Sequence, residues 1–352
     1  MDTPEIYHHL LSTMSSTLAN LTQHNYNYSI KSIPAIVYLA TVMLVGFIGN
    51  SIVCYVYLVK LKRIKPFAYF ILALAIIDLV NCVINIPFEI FHLTHRFTIG
   101  THTLCKIKSA FSPFVGTLLA IIIVPMSVYR YKKICRPLNK QMTTHGARLS
   151  ILCCFLATCI ISGPCVDIYG PSPITDGYFN GSMCAISKNT NFNHSVACVS
   201  AFCCTFVVVS ITIVLVYSLI WRQVVRSNKF RRSLLSVGHI NSNNGLAGED
   251  TPRDTIMTSR HAVRYRKTTL MLFLISLVFI LTYLPHLVLI AVIISKNKVL
   301  ISSSHRLSGP LNVAYNIGVR SYFISSASNP MIYSYCNMKF RHAAMSIFKR
   351  KR

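Results

Sequence analysis

Seven long apolar runs constrain this chain more than any other feature. They lie at about 33–59, 67–93, 104–135, 147–168, 196–221, 268–294 and 308–335. A helix rises ~1.5 Å per residue, so about 20 residues cross the ~30 Å hydrocarbon core of a bilayer, and each run is long enough to cross once. Hydrocarbon offers no partner to a peptide N–H or C=O, which leaves the helix as the only single-segment way across. The predicted fold is an all-α membrane protein, a seven-helix transmembrane domain over residues 32–336. Composition agrees, since only 12% of the 352 residues are charged and 53% are hydrophobic, against about 25% charged in soluble domains.

The formal charge of +26 would suggest nucleic acid if the chain were soluble. Its distribution excludes that reading. Four basic residues fall at 60–65, six at 130–148, ten at 222–267 and six from 339 onward, which is 26 of the 35, all in alternate connections. This is the positive-inside pattern, with attraction to anionic inner-leaflet lipid as a secondary effect. It predicts a multi-pass membrane protein with its N-terminus outside and its C-terminus in the cytoplasm. The glycosylation sequons at Asn20, Asn27, Asn180 and Asn193 all fall on the proposed outer side. No basic segment with a short apolar core and a small-residue cleavage site precedes the first span, which is expected to insert by itself.

Outside the spans, residues 1–31 read as a polar, glycosylated extracellular segment. Residues 222–267 form the third cytoplasmic loop, with basic ends that continue the fifth and sixth helices. Its polar middle, from Asn241 to Pro252, is expected to be disordered. In the tail, 337–352, Phe340, Ala344, Ile347 and Phe348 make one stripe of a short amphipathic helix suited to the inner leaflet. Most of the 13 cysteines sit inside spans as small buried hydrophobes, and none has metal-site spacing with a histidine. Cys165 and Cys198, at the outer ends of the fourth and fifth spans, leave a bridge between them open. Asp176-Gly177 reads as a turn between short strands.

In order along these spans stand Gly49-Asn50, Leu74-Ala75-Ile76-Ile77-Asp78, Cys105 to Arg130 and Asn329-Pro330-Met331-Ile332-Tyr333. Over residues 33–350 the chain resembles a rhodopsin-like (class A) G-protein-coupled receptor. The resemblance implies a disulfide from Cys105 to Cys184 and a hairpin lid of the kind found in peptide receptors. It implies a polar core in which Asp78 holds sodium and bonds toward Asn50 and Asn329, with Ser325 compatible. The family's third-helix serine ligand falls on Leu119, which argues against a filled sodium site; without the ion, Asp78 ties helices together. No other cofactor is expected. Pro330 is expected to break the seventh helix so that Tyr333 can swing inward to Tyr217 in the active form, and Pro285 to kink the sixth.

Departures from the family pattern carry information too. Tyr129-Arg130-Tyr131 replaces Asp-Arg-Tyr, which removes the adjacent carboxylate from Arg130. Tyr283 replaces the toggle tryptophan of the sixth span, and Val209 the fifth-span proline. Ser112 stands where amine receptors keep an aspartate, and Phe323 where opsins keep a lysine. The pocket is expected from Glu89, Phe111, Ser112, Val115, Tyr283, His286, Asn316, Val319 and Arg320. Glu89 and Arg320 read as its only opposite charges, either neutralising one another or taking the termini or a basic side chain of a peptide.

The resemblance therefore implies a receptor for an extracellular ligand, a peptide favoured, that activates heterotrimeric G proteins. Arrestin and a receptor kinase would act on the third loop at Ser233, Ser236, Thr251, Thr255 and Thr258. Two other readings stay open: a receptor fold that signals without ligand or does not couple, and a transporter, which would show related halves and more intramembrane charge. No paired carboxylates, nucleophile–His pair or phosphate loop suggests an enzyme.

Overall fold

The computed structural model describes residues 3–61, 65–98, 102–176, 179–186, 192–242, 252–295 and 309–348. Helix α1 is Thr3–Tyr55, and α2 (Pro66–Val80) and α3 (Ile86–Thr94) together make the second crossing. Next come α4 (His102–Cys135), α5 (Thr144–Ser162), α6 (Phe192–Ser242) and α7 (Pro252–Ser295). The seventh crossing is α8 (Gly309–Val319) and α9 (Ile324–Cys336), and α10 (Met338–Phe348) follows it. Six crossings contain a helix long and apolar enough to span a bilayer, while the seventh is divided by a 3-10 turn at Ser321–Phe323 into two shorter pieces.

A proline accounts for the interruption of phase in the second crossing. Pro87 has no N–H to give the carbonyl four residues back, and the ladder relaxes through one π turn, Asn81–Asn85, just before it. In α9, Pro330 leaves the Ser326 carbonyl without its helical donor, and the Asn50 side-chain amide of α1 supplies one at 2.8 Å. By contrast, α4 runs as one helix through Pro113 and Pro125. It is the axis of the bundle: 56% of its most apolar stretch is buried, against 17% for α6.

The N-terminal segment differs from the expectation of a polar tail separate from the bundle. Helix α1 begins at Thr3 and continues without a break into the first crossing. Asn25, Tyr28, Ser32, Ala35, Leu39 and Val42 recur at intervals of three and four and are all buried. The buried stripe thus reaches beyond the apolar run because polar side chains carry it outward. Asn20, Asn27 and Asn193 are exposed, and the Asn180 side chain lies outside the described residues.

On the outer side, β1 (Tyr169–Asp176) and β2 (Phe179–Ile186) form an antiparallel hairpin with Asp176 opposite Phe179, as the turn chemistry predicts. Gly177 itself lies outside the described residues. On the inner side, α6 reaches Ser242 and α7 starts at Pro252, so the basic ends of the third loop are helical. The centre expected to be disordered, 241–252, is corrected at its ends: residues 241, 242 and 252 are helical, and 243–251 lie outside the described residues. The tail helix is capped by Asn337, whose Oδ1 accepts from the Phe340 N–H at 3.3 Å. Phe340 is buried and stacks on Tyr57 at 6.2 Å, which fixes α10 beneath the bundle. Of the expected stripe, Ala344 is half-buried, Ile347 is exposed, and the Phe348 side chain and residues 349–352 lie outside the described residues.

Helices α1 and α9 meet where neither has bulk. A Cβ on Gly49 would stand 2.7 Å from the Pro330 ring. Gly49→Val should therefore destabilise the protein by about 1–3 kcal/mol, read as a lowered thermal unfolding midpoint of the purified protein; an unchanged midpoint would contradict the close approach.

Candidate functional site

The outer end of the bundle is closed by a lid held at three points. Cys105 of α4 is bonded to Cys184 of β2, with Cα atoms 5.5 Å apart. The Ser182 N–H donates to the Phe97 carbonyl at 3.1 Å. The Phe97 N–H in turn donates to Asn25 Oδ1 at 2.9 Å, and Asn25 Nδ2 donates to Thr98 Oγ1 at 3.1 Å. The Arg96 guanidinium sits 4.8 Å over the Tyr28 ring. Lid, first outer loop and N-terminal helix are therefore one assembly. Tyr169 of the hairpin lines the space beneath it, and burial pushes its phenol up to about 12. Cys165 and Cys198, where a second bridge was left open, are free thiols packed together against Ile168.

Beneath the lid is a cavity of about 220 Å³. Glu89, Ser112, Tyr283, His286, Asn316, Val319 and Arg320 line it as expected. Phe111 and Val115 do not; they belong to the packed interior of the bundle. Along α4 the lining positions are Ser112, Pro113, Gly116, Thr117 and Ala120. Residues one step before these are rotated by about 100° and meet neighbouring helices instead.

The charges in the cavity differ from the expected single pair. Glu89 receives Arg320 Nε on Oε2 at 2.8 Å and Lys108 Nζ on Oε1 at 3.1 Å, so both its oxygens are engaged. Arg96 and His92 also line the space. Lys108 stands one turn below the disulfide, and its place near the end of a span makes it look like a loop charge in the sequence. Arg320 Nη1 donates to the Asn316 carbonyl at 3.1 Å and to Asn316 Oδ1 at 2.9 Å, and Tyr38 donates to the Arg320 carbonyl at 2.9 Å. In low dielectric, charges persist only when paired and hydrogen-bonded in this way.

The floor is aromatic. Tyr283 stacks on Phe279 at 5.1 Å and on Phe206 at 6.0 Å, and lies 5.6 Å from both His286 and Tyr322. The Ser112 and Tyr322 hydroxyls are 2.6 Å apart, joining the third crossing to the seventh. The Tyr283 hydroxyl occupies the place a Cβ on Gly116 would take. Gly116 is a site residue that the sequence reading misses; its signal is a lone glycine one turn after Ser112 on the face that meets the sixth helix.

At mid-bundle, Asp78 is fully buried and accepts from Ser326 Oγ at 2.7 Å and Asn329 Nδ2 at 2.8 Å. Two expectations are corrected here. The hydroxyl beside Asp78 is that of Ser326, while Ser325 donates to the Tyr322 carbonyl of its own turn at 2.8 Å. Asn50 does not meet Asp78; it caps the carbonyl that Pro330 orphans. Leu119 is buried at the level where the resemblance puts a hydroxyl ligand, and both oxygens of the carboxylate already have donors. These residues do not fit a sodium cage, and Asp78 serves as a tie between α2 and α9. Among the described residues no group of three or more His, Cys, Asp or Glu could hold a metal ion.

At the inner mouth Arg130 is buried, and its Nε donates to Thr269 Oγ1 of α7 at 3.3 Å. Tyr129, in place of the family's carboxylate, stacks on Phe67 at 6.0 Å and accepts from Lys133 Nζ at 3.5 Å. Arg130 lacks the adjacent carboxylate, as the sequence shows, and meets instead a hydroxyl on the opposite helix. Tyr217 and Tyr333 are buried; the Tyr217 hydroxyl faces those of Ser127 and Ser276, and the Tyr333 hydroxyl has no hydrogen-bond partner among the described residues. Around Pro285, Ser321 Oγ donates to the Thr282 carbonyl at 2.6 Å, tying α7 to the 3-10 turn of the seventh crossing.

Two substitutions check this geometry. Gly116→Ala should destabilise the native chain by about 1–3 kcal/mol yet be nearly neutral once Tyr283→Ala has emptied the facing space, a coupling read from thermal unfolding of the four members of the cycle. Arg320→Ala, which leaves the Glu89 cluster short of one cation, should destabilise by about 3–5 kcal/mol in the same assay.

The chain matches the family model described as 7 transmembrane receptor (rhodopsin family) over residues 49–333. It is 23% identical over 342 residues to neuromedin U receptor homolog nmur-2 of Caenorhabditis elegans, covering 88% of this chain and 78% of that protein. To neuromedin-U receptor 2 of Mus musculus it is 23% identical over 331 residues, covering 90% and 75%. To human 5-hydroxytryptamine receptor 4 it is 24% identical over 346 residues, covering 94% and 83%. Its fold matches the crystal structure of squid rhodopsin with a TM-score of 0.68 at 19% identity, over 92% of this chain and 86% of the other. Seven crossings in this order, with the match running from Gly49 to Tyr333, show that the chain belongs to the rhodopsin family of seven-transmembrane receptors.

Proposed function

We propose that this receptor sits in the plasma membrane with its N-terminus outside, binds a peptide beneath the hairpin lid, and in the bound state opens its inner mouth to a heterotrimeric G protein. One observation carries the reading. The single helix α4 meets α7 at two levels, with Gly116 against Tyr283 at the cavity floor and Arg130 against Thr269 at the inner mouth. A ligand that displaces Tyr283 therefore acts on the helix that holds the inner latch, and only its difference in affinity for the two arrangements can shift the equilibrium.

The buried Tyr333 hydroxyl supports the same transition. It has no hydrogen-bond partner among the described residues, which costs about 1–3 kcal/mol, and pairing it with Tyr217 in an open form would recover part of that. For a peptide rather than an amine, support comes from the hairpin lid, from Ser112 where an ammonium partner would stand, and from relatives named as neuromedin U receptors. Sequons and basic loops support the orientation. Arrestin and a receptor kinase are proposed to act on the third-loop hydroxyls, whose side chains lie outside the described residues, and inner-leaflet lipid on α10. A receptor fold that signals unrestrained would lean on the missing carboxylate beside Arg130, but Thr269 supplies a restraint in its place.

Nucleotide exchange on heterotrimeric G proteins, measured with the receptor in lipid nanodiscs, tests this reading. Thr269→Val should raise ligand-independent exchange by about threefold or more, since a hydrogen bond to a charged group contributes roughly 1.5–3 kcal/mol. Tyr129→Asp, which returns a carboxylate beside Arg130, should lower it. Exchange unmoved by both would count against Arg130 as the latch, and no exchange under any condition would count against coupling.

A further inference from the structure

We propose that the end of the ligand that enters the cavity carries a carboxylate, held chiefly by Lys108. This rests on the peptide reading above and names the chemistry of the part that goes deepest.

The inference comes from counting charge on buried walls. Among the described residues that line the cavity, Glu89 is the one carboxylate, while Lys108, Arg96 and Arg320 are cations. Glu89 is buried and already engaged on both oxygens, by Lys108 at 3.1 Å and by Arg320 at 2.8 Å. A basic side chain or an N-terminal ammonium arriving from outside would have to displace one of these partners and add a further cation to a space that already has three. An anion meets the opposite situation. An ammonium has three donors, and Glu89 takes one from Lys108. The remaining N–H groups of Lys108, which lines the cavity, can turn to a second carboxylate without breaking the first contact. Charge–charge attraction is strongest in a space shielded from water, as this one is by the hairpin and Tyr169. The aromatic floor of Phe206, Tyr283 and Tyr322 suits an apolar side chain next to that carboxylate.

The test uses the purified full-length receptor and three pools of N-acetylated random peptides built only from uncharged residues. One pool ends in a free carboxylate, one in an amide, and one in an amide with a single added lysine. After equilibration with immobilised receptor, the retained peptides are weighed by mass spectrometry against a receptor-free control. The carboxylate pool should be retained about tenfold over the other two, as expected for one desolvated charge contact. Lys108→Gln should abolish that preference and Lys108→Arg should keep it; the comparison of pools on the native receptor decides even if Lys108→Gln fails to fold. Equal retention of the amide pool, or better retention of the lysine pool, overturns the proposal while leaving the peptide reading intact. A preference that survives Lys108→Gln overturns the assignment to Lys108. Retention of no pool above the control overturns both.

Discussion

Hydrocarbon gives a polar group nothing to bond to, and the rest of this structure follows from that. Backbone groups are satisfied within helices. Polar side chains inside the bundle are satisfied by their own turn, as Ser325 is, or by another helix, and each contact of the second kind also places two crossings relative to one another. Asn50 to the Ser326 carbonyl, Asp78 to Ser326 and Asn329, Ser112 to Tyr322, Glu89 to Arg320 and Lys108, and Arg130 to Thr269 are such contacts. Four of the five join the seventh crossing to another helix. The seventh is the crossing whose helix is broken, at Ser321–Phe323, and these contacts hold it where helical continuity does not.

The same restriction makes the molecule suitable as a switch. Close-packed helices and buried hydrogen bonds alike change between discrete arrangements. Here Arg130 is bonded to α7, the Tyr217 hydroxyl faces Ser127 and Ser276, and the Tyr333 hydroxyl is left over among the described residues. Displacement of α7 would break the first of these contacts. Tyr129 changes how the closed state is held without removing the hold: the family's carboxylate is replaced by an aromatic stack on Phe67, and the restraint on Arg130 passes to a neutral hydroxyl. A neutral acceptor binds a guanidinium less strongly than a carboxylate does.

Much of this was legible in the sequence. Apolar length gave the crossings, and the motif residues Asp78, Asn329 and Pro330 stand where the resemblance put them. The hairpin followed from Asp176-Gly177. What was not legible has physical causes. Ser325 and Ser326 stand four and three residues before Asn329 in one helix, about 40° and 60° from it, so spacing alone does not separate them. The inward stripe of α1 was hidden because Asn25, Tyr28 and Ser32 carry it. Lys108 lies near the top of its span, and only folding brings it to Glu89. Gly116 carries no side chain to signal its role, which is to leave room for Tyr283.

The central claim is that α4 and α7 are latched at the inner mouth and part when a G protein binds. Spin labels placed at Lys140 and Lys267 in a background without other reactive cysteines, read by pulsed electron resonance in nanodiscs, measure that separation directly. The account predicts a short distance in the resting receptor that lengthens when nucleotide-free G protein is added. A single distance, the same with and without G protein, would contradict it.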